Sequence, residues 1–212
     1  MVLGITGGVG SGKSTVLQYL KDKYNALIIE ADKVAFDLSL PGTPGYDAIL
    51  KNFPELNLLP DKSFDRRQLS SIVFNDDTKL NILNSIIHPL VKEFIVKTID
   101  ENKDNNLIVI EAALLIEDGY NEICDEIWYV YCKLETRIKR LYESRNYSRQ
   151  KSLEIISNQL SEEEYRNNTD HTIDNSSNDK NTFDSIDILL AEVRAHYFGK
   201  DITELNENGK FI

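Results

Sequence analysis

The segment from Gly7 to Thr15, with the sequence GGVGSGKST, constrains the fold more than any other part of the chain. An apolar run, Val2–Ile5, precedes it, and apolar residues at helical spacing follow it from Val16 to Leu20. The segment fits the pattern G-x-x-x-x-G-K-[ST], which binds nucleoside triphosphates when it joins a strand to a helix. The sequence therefore predicts a strand, a phosphate loop and a helix at the start of the chain.

Each residue type in this segment has a chemical reason. Glycines allow tight turns and let backbone N–H groups approach an anion, and the helix N-terminus adds partial positive charge. We expect Lys13 to reach the β- and γ-phosphates, Ser14 to bind Mg²⁺ and Thr15 to contact the α-phosphate. A dinucleotide-binding loop would need a third glycine at position 13, where Lys13 stands. The residues expected to bind ATP here are Gly8, Gly10, Ser11, Gly12, Lys13, Ser14 and Thr15.

Composition excludes several classes of protein. The 212 residues carry a net charge of −11, which argues against a nucleic-acid partner because such binders present a basic face. No apolar run approaches the roughly 20 residues of a membrane span, and the chain begins directly with a strand pattern rather than a leader. We therefore expect a cytoplasmic protein with no membrane partner. The two cysteines, Cys124 and Cys132, fit no metal or disulfide spacing and are expected to be structural thiols.

Apolar runs alternate with helical patterns along the chain, which predicts a parallel sheet covered by helices on both faces. Five strands are predicted, at residues 2–5, 26–29, 107–110, 126–132 and 171–173. Helices are predicted at 33–39, 46–53, 64–74, 77–87, 90–99, 152–168 and 182–196, and Lys133, Arg137 and Arg140 of the basic stretch 133–151 fall on one helical face. His88-Pro89 is expected to interrupt the helical stretch around it, because the residue before a proline avoids the α region. The tail from Gly199 has no assignable pattern.

Charged residues near the predicted strand ends suggest phosphoryl transfer. Ligands of open α/β sheets bind at the carboxyl ends of strands, where Glu30, Asp32 and Glu111 occur. Glu30 and Asp32 are candidates for the base at an acceptor hydroxyl, and Glu111 for binding Mg²⁺ or its water. Residues 133–151 hold seven basic residues against two acidic ones, and we expect arginines there to neutralise the transferring group. GTPase motifs are missing, so a small-molecule kinase is favoured.

Several motifs resemble those of the dephospho-CoA kinase family, across residues 2 to about 197. The resemblance includes the phosphate loop from Thr6 and the run from Asp65-Arg66 to His88-Pro89, which no general phosphate-loop rule requires. It also includes Glu30-Ala31-Asp32, Leu114-Leu115-Ile116-Glu117, the set Arg137, Arg140, Arg145 and Gln159, and Ile173-Asp174-Asn175. Glu30 stands where the family commonly has Asp, and Ala113 where it usually has Pro.

The resemblance implies a single three-layer kinase domain spanning 1–212, with a parallel five-stranded sheet. Within it, residues 1–32, 106–132 and 169–198 would form the nucleotide-binding core, 33–105 a helical CoA-binding insertion and 133–168 a helical lid. The implied reaction is ATP-dependent, Mg²⁺-assisted phosphorylation of the ribose 3′-hydroxyl of dephospho-CoA, the last step of CoA synthesis. A monomer or small homo-oligomer is expected.

The resemblance also implies roles for individual residues. Asp32 would be the base, with Lys13 and Arg140 stabilising the transferred phosphoryl group. The remaining expected contacts are Arg137 and Asn175 with ATP, Asn175 near the adenine, and Arg66, His88 and Leu114 with dephospho-CoA. Two other interpretations stay open at this point: a kinase for a nucleoside, nucleotide or sugar acid, and a regulator that binds ATP without transferring phosphate.

Overall fold

The computed structural model describes residues 1–74 and 76–198. The predicted tail after Gly199 and residue 75 of the predicted cap before the 77–87 helix therefore lie outside the described residues. Five strands form one sheet: β1 (Val2–Thr6), β2 (Leu27–Glu30), β3 (Ile108–Glu111), β4 (Glu126–Tyr131) and β5 (His171–Asp174). Their order is β2-β3-β1-β4-β5, and the sheet is parallel. β1 pairs Leu3 with Val109 on one side and with Glu126 on the other. The prediction of a parallel five-stranded α/β fold is confirmed.

The described helices are α1 (Lys13–Tyr24), α2 (Ala31–Asp37), α3 (Pro44–Asn52), α4 (Arg66–Phe74), α5 (Asp77–Glu101), α6 (Leu134–Arg145), α7 (Arg149–Ser157), α8 (Glu162–Asn167) and α9 (Asp179–Phe198). Local chemistry sets many of their ends. Thr43 caps α3 by accepting from the Tyr46 amide, with Pro44 in the first turn, and Ser161 begins α8 with a capping box to Glu164. Asn25 ends α1 in the left-handed conformation.

The chain divides into two compact units. One comprises Met1–Ile28 and the described residues from Asp104 onward, and the other is Ile29–Lys103. In the first unit, alternate sheet residues such as Leu3, Ile5 and Trp128 pack against α1 and α9 in one buried core. On the opposite face of the sheet, the Tyr129 ring stacks on Tyr165 of α8. The sheet is therefore covered on both faces, as a parallel sheet requires.

The second unit is helical, and its buried side chains include Tyr46, Ile49, Phe53 and Phe64. α2, α3 and α4 all pack on α5. The predicted interruption of this helical stretch at His88-Pro89 is wrong, because α5 continues from Asp77 to Glu101 with Pro89 inside it. Ile87, Val91 and Ile95 are buried at four-residue spacing, so one apolar face spans the proline and holds both halves of the helix in place.

The basic stretch 133–151 contains α6 and the start of α7. α6 ends at Arg145, Asn146 adopts a left-handed conformation with φ 54°, and Ser148 caps α7 by accepting from the Lys151 amide. Residues 152–168 are likewise divided between α7 and α8. Within the described residues, no helix combines the length and apolarity needed to cross a membrane.

Candidate functional site

The phosphate loop has a backbone that requires its glycines. Gly7, Gly10 and Gly12 have φ values of 147°, 76° and 90°, in the region that favours glycine. A Cβ at Gly7 or Gly10 would also press on a backbone carbonyl, that of Val130 or Arg137. α1 begins directly afterwards at Lys13, so its first-turn N–H groups adjoin the loop. This arrangement suits an anion such as a triphosphate.

Lys13 lies over the loop that precedes it. Its Nζ donates to the Gly7 carbonyl at 2.8 Å and is 3.4 Å from Glu111 Oε1 at the end of β3. Both side chains are mostly buried, with 16% and 13% of their surface exposed. The structure thus brings together two predicted site residues, and a carboxylate holds the ammonium group beside the loop.

Arg137 of α6 and Gln159 bracket the peptide group of Val9 in the loop. The Val9 amide donates to Gln159 Oε1 at 2.9 Å, and Arg137 Nε donates to the Val9 carbonyl at 2.9 Å. An Arg137 terminal nitrogen also donates to Gln159 Oε1 at 3.0 Å. A Cβ at Gly8 would occupy the position of the Arg137 guanidinium. Gln159, which sequence reasoning noted only within the family resemblance, is therefore part of the loop's support.

Arg140 and Asn175 hold the next residue of the loop. Arg140 donates to the Ser11 carbonyl at 3.0 Å, and the buried Asn175 amide donates to the same oxygen at 2.8 Å and to the Gly12 carbonyl at 3.4 Å. Thr182 donates to Asn175 Oδ1 at 3.1 Å. The Asn175 side chain is thus used in positioning the loop, and its predicted position near adenine stays a prediction. No local sequence signal indicated Thr182.

The loop also carries polar groups suited to a ligand. Ser11 Oγ is buried and has no hydrogen-bond partner among the described residues. Ser14 lies in the first turn of α1 and is exposed, with Thr15 beside it. Both line a groove of about 610 Å³ that runs along α1 to Phe183 of α9. Hydroxyl and amide donors with Lys13 suit a phosphate chain, and Ser14 and Glu111 offer oxygen atoms of the kind Mg²⁺ prefers.

The remaining predicted acceptor-site residues are on other elements. Asp32 is the second residue of α2 and exposed, whereas Glu30 just before it is paired with Lys33 at 2.6 Å. Arg66 begins α4, with its guanidinium 4.0 Å from the Phe36 ring centroid. His88 lies within α5, and the exposed Leu114 follows β3.

The cysteines carry no sign of reactivity. Both are free thiols, Cys132 is buried, and Cys124 is partly buried. Burial raises the pKa of Cys124 to about 12 and also raises the pKa of Cys132, so both stay protonated at neutral pH. Among residues 1–74 and 76–198, no group of three or more His, Cys, Asp or Glu side chains is arranged to hold a metal ion.

Comparison with known proteins identifies close relatives. The family model described as "Dephospho-CoA kinase" matches residues 1–181. A protein of that name from Carboxydothermus hydrogenoformans is 39% identical over 191 residues, covering 89% of this chain and 92% of its own. Another from Fusobacterium nucleatum is 36% identical over 187 residues, covering 88% and 95%.

Solved structures agree with the fold. The crystal structure of TT1252 from Thermus thermophilus aligns with a TM-score of 0.79 at 27% identity, covering 91% of this chain and 97% of that one. Dephospho-CoA kinase from Campylobacter jejuni aligns with a TM-score of 0.68 at 23% identity, covering 92% and 98%, which supports the fold alone.

Proposed function

The chain belongs to the dephospho-CoA kinase family, and we propose that it performs that family's reaction through the loop at Gly7–Thr15. The family phosphorylates dephospho-CoA with ATP in CoA biosynthesis. In the finer form proposed here, the γ-phosphoryl group of ATP passes to the ribose 3′-hydroxyl. The observation that carries this proposal is the glycine-bent loop joined to Lys13 and held by Arg137 and Arg140.

The loop residues would bind the triphosphate as the motif predicts. Gly8, Gly10, Ser11 and Gly12 supply backbone donors, Lys13 contacts the β- and γ-phosphates and Thr15 the α-phosphate. Ser14 would hold Mg²⁺ together with the ATP phosphates, and Glu111 would bind it or its water; the ion, when bound, neutralises charge that develops on the phosphates. Arg140 and Arg137 keep the loop in shape and add positive charge, which favours the transition state.

The acceptor is proposed to bind to the insertion, 33–105, with Leu114 adding a contact. Asp32 is our candidate for the base that orients the 3′-hydroxyl and accepts its proton, because Glu30 is already paired with Lys33. Arg66 and His88 are proposed to contact dephospho-CoA. Residues 133–168 would act as the lid. We also propose that the protein is cytoplasmic and is a monomer or a small homo-oligomer. Light scattering on the purified chain tests the oligomeric state.

The function is tested by incubating the purified protein with Mg-ATP, with and without dephospho-CoA, and measuring ADP and product mass. We expect ADP release that depends on dephospho-CoA and a product heavier by one phosphoryl group at the 3′ position. Lys13→Ala should abolish both ADP release and product formation. Lys21→Ala, which changes an exposed lysine on the same helix, should abolish neither.

Two other results would overturn the proposal. Transfer to a nucleoside or sugar acid instead of dephospho-CoA would indicate a different acceptor. ATP binding without transfer to any acceptor would indicate a nucleotide-binding regulator.

A further inference from the structure

The turn between α7 and α8 carries Gln159, whose side chain reaches the phosphate loop. Its oxygen Oε1 accepts two hydrogen bonds, one from the Val9 amide at 2.9 Å and one from an Arg137 terminal nitrogen at 3.0 Å. Arg137 Nε donates to the Val9 carbonyl at 2.9 Å, which closes a ring of hydrogen bonds. We infer that Gln159 is a positioning residue for MgATP: its uncharged oxygen orients Arg137 and the loop at Val9 without cancelling the Arg137 charge. The inference rests on the proposed function, in which the loop binds MgATP.

The ends of two helices hold the backbone of Gln159 in place. Its N–H donates to the Ile156 carbonyl at 3.2 Å, in the turn that follows α7. α8 begins just beyond it with the capping box at Ser161, and Tyr165 of α8 stacks on Tyr129 of the sheet with the ring centroids 4.6 Å apart. The backbone is therefore held on both sides of Gln159, and the side chain presents its oxygen to the loop from a fixed base, as a positioning residue requires.

The ring of hydrogen bonds restricts both the loop and the arginine. Both lone pairs of the Gln159 oxygen have a donor, one from the loop and one from the guanidinium. The N–H and the C=O of Val9 are both occupied, so neither peptide unit that flanks Val9 can rotate without breaking a hydrogen bond. The guanidinium itself packs on Gly8, where a Cβ would have no room. Arg137 is thus held in one orientation and keeps further N–H donors for the nucleotide.

The charge of its partners distinguishes Arg137 from Lys13. The Lys13 ammonium group lies 3.4 Å from the Glu111 carboxylate, so a fixed negative charge partly neutralises it. The acceptors that Arg137 uses in the described part of the chain, the Val9 carbonyl and the Gln159 amide oxygen, are both uncharged. A glutamate in place of Gln159 would keep an acceptor but would pair with the guanidinium and place negative charge beside the triphosphate. Glutamine therefore orients Arg137 while its positive charge stays available to the phosphates.

Two variants of Gln159 separate orientation from charge. Gln159→Leu removes the acceptor at nearly the same size, and Gln159→Glu keeps an acceptor but adds a negative charge. Asn158→Leu, at the exposed neighbouring position, is the matched control. The Kd for MgATP, measured by calorimetry, should rise about tenfold in both Gln159 variants and stay unchanged in Asn158→Leu. Urea unfolding of Gln159→Glu should match the wild type, so a normal Kd in this variant would mean that Gln159 is only structural and would overturn the inference.

A double variant tests whether Gln159 acts through Arg137. If it does, Gln159→Leu should raise the Kd for MgATP less in the Arg137→Ala background than in the wild type, because the side chain that it orients is already missing. The KM for ATP should follow the Kd, and the KM for dephospho-CoA should not change. Equal fold-changes of Gln159→Leu in the two backgrounds would overturn the action through Arg137.

Titration with MgATP needs no acceptor, so it separates this inference from the proposed function. If the variants change MgATP binding as expected but the wild type does not phosphorylate dephospho-CoA, the function fails and the role of Gln159 stands. If the wild type phosphorylates dephospho-CoA but Gln159→Glu binds MgATP normally, the role of Gln159 fails alone. A wild type that does not bind MgATP overturns the inference. Should Gln159→Leu fail to fold, Gln159→Glu alone decides the outcome.

Discussion

Single residues in this protein act through contacts that span most of the chain. Asn175 is 164 residues from Ser11, yet its amide donates to the Ser11 carbonyl while Thr182 donates to its oxygen. Asn175→Ala would leave two loop carbonyls without this donor in a buried place. We expect a loss of about 1–3 kcal/mol in unfolding free energy. The Kd for ATP should rise roughly tenfold, because the loop loses its support.

Urea denaturation and calorimetric ATP titration measure these two effects. Ser177→Ala, an exposed residue in the same turn, is the control and should behave like the wild type. An Asn175→Ala variant with normal stability and weakened ATP binding would instead favour direct contact with the nucleotide.

Asp32 is the residue on which the proposed chemistry depends most. Asp32→Asn keeps the size and removes the basic oxygen, so turnover should fall by two or more orders of magnitude, about the contribution of a positioned acid–base group. ATP affinity should stay normal, since Asp32 lies outside the phosphate loop. Steady-state kinetics with dephospho-CoA and an ATP titration test both parts. Unchanged turnover would make Glu30 the candidate base, and Glu30→Gln is the companion variant.

The sequence alone predicts the roles of some of these residues and not of others. Lys13 and Ser14 belong to a contiguous motif, so local pattern was enough to predict a phosphate loop, and the structure shows the loop conformation at Gly7, Gly10 and Gly12. The support from Thr182 arises from contacts between distant segments and has no local pattern. The family resemblance implies that Asn175 contacts the nucleotide, whereas in the structure its side-chain amide donates to the loop carbonyls of Ser11 and Gly12.

At the scale of elements, α1 and α9 are joined by a polar cluster around Asp187. Its carboxylate accepts from the hydroxyls of Tyr19 and Tyr24 at 2.7 Å and from Lys23 at 2.5 Å. Burial alone would raise the pKa of Asp187, but these hydrogen bonds outweigh it and lower the pKa. Asp187→Asn should therefore destabilise the protein at pH 7 by about 1–3 kcal/mol.

The lowered pKa fixes the direction of the pH effect. The stability from an acid with a depressed folded pKa is present above its unfolded value, near 3.9, and is lost as pH falls through the folded value. The difference between wild type and Asp187→Asn should therefore shrink below about pH 4, as measured by urea unfolding across pH. Asp184→Asn, exposed on the same helix, is the control. A difference that stays constant below pH 4 would contradict this role.

α5 is the element for which a local rule failed. Pro89 has no N–H to donate to the Ser85 carbonyl, yet the helix continues because Ile87, Val91 and Ile95 are buried on one face. Pro89→Ala should raise the unfolding free energy by about 1–3 kcal/mol. Denaturant unfolding measures this change in free energy. Glu93→Ala, at an exposed position of the same helix, is the control. No gain would mean that the proline's stiffening of the unfolded chain offsets the missing hydrogen bond.

The strands were predictable to within about a residue at most ends because short apolar runs bounded by polar residues define them. The helices were less so. The division between α6 and α7 depends on the left-handed Asn146 and the Ser148 cap. Neither feature follows from the basic charge by which this stretch was recognised. The continuation of α5 through Pro89 depends on the burial of its apolar face against other helices. The apolar periodicity of the sequence around a proline does not predict that burial.

At the scale of the whole molecule, two compact units carry the two proposed ligands: the phosphate loop lies in the first unit, and most of the insertion proposed to bind dephospho-CoA, 33–105, lies in Ile29–Lys103. A ligand stabilises the cooperative unit that it binds, and MgATP at a hundred times its Kd contributes about 2.7 kcal/mol. If the units unfold separately, amides of β1, α1 and β4 should exchange about a hundredfold more slowly with MgATP.

Amides of α3 and α5 should then change little with MgATP and slow with dephospho-CoA. Hydrogen exchange followed by mass spectrometry resolves both sets of peptides, and Lys13→Ala should lose the MgATP effect while keeping the effect of dephospho-CoA. Equal slowing of both units by either ligand would mean that the chain unfolds as one cooperative body. The two units would then be separate in their packing but would share one unfolding free energy, because neither unit could unfold without the other.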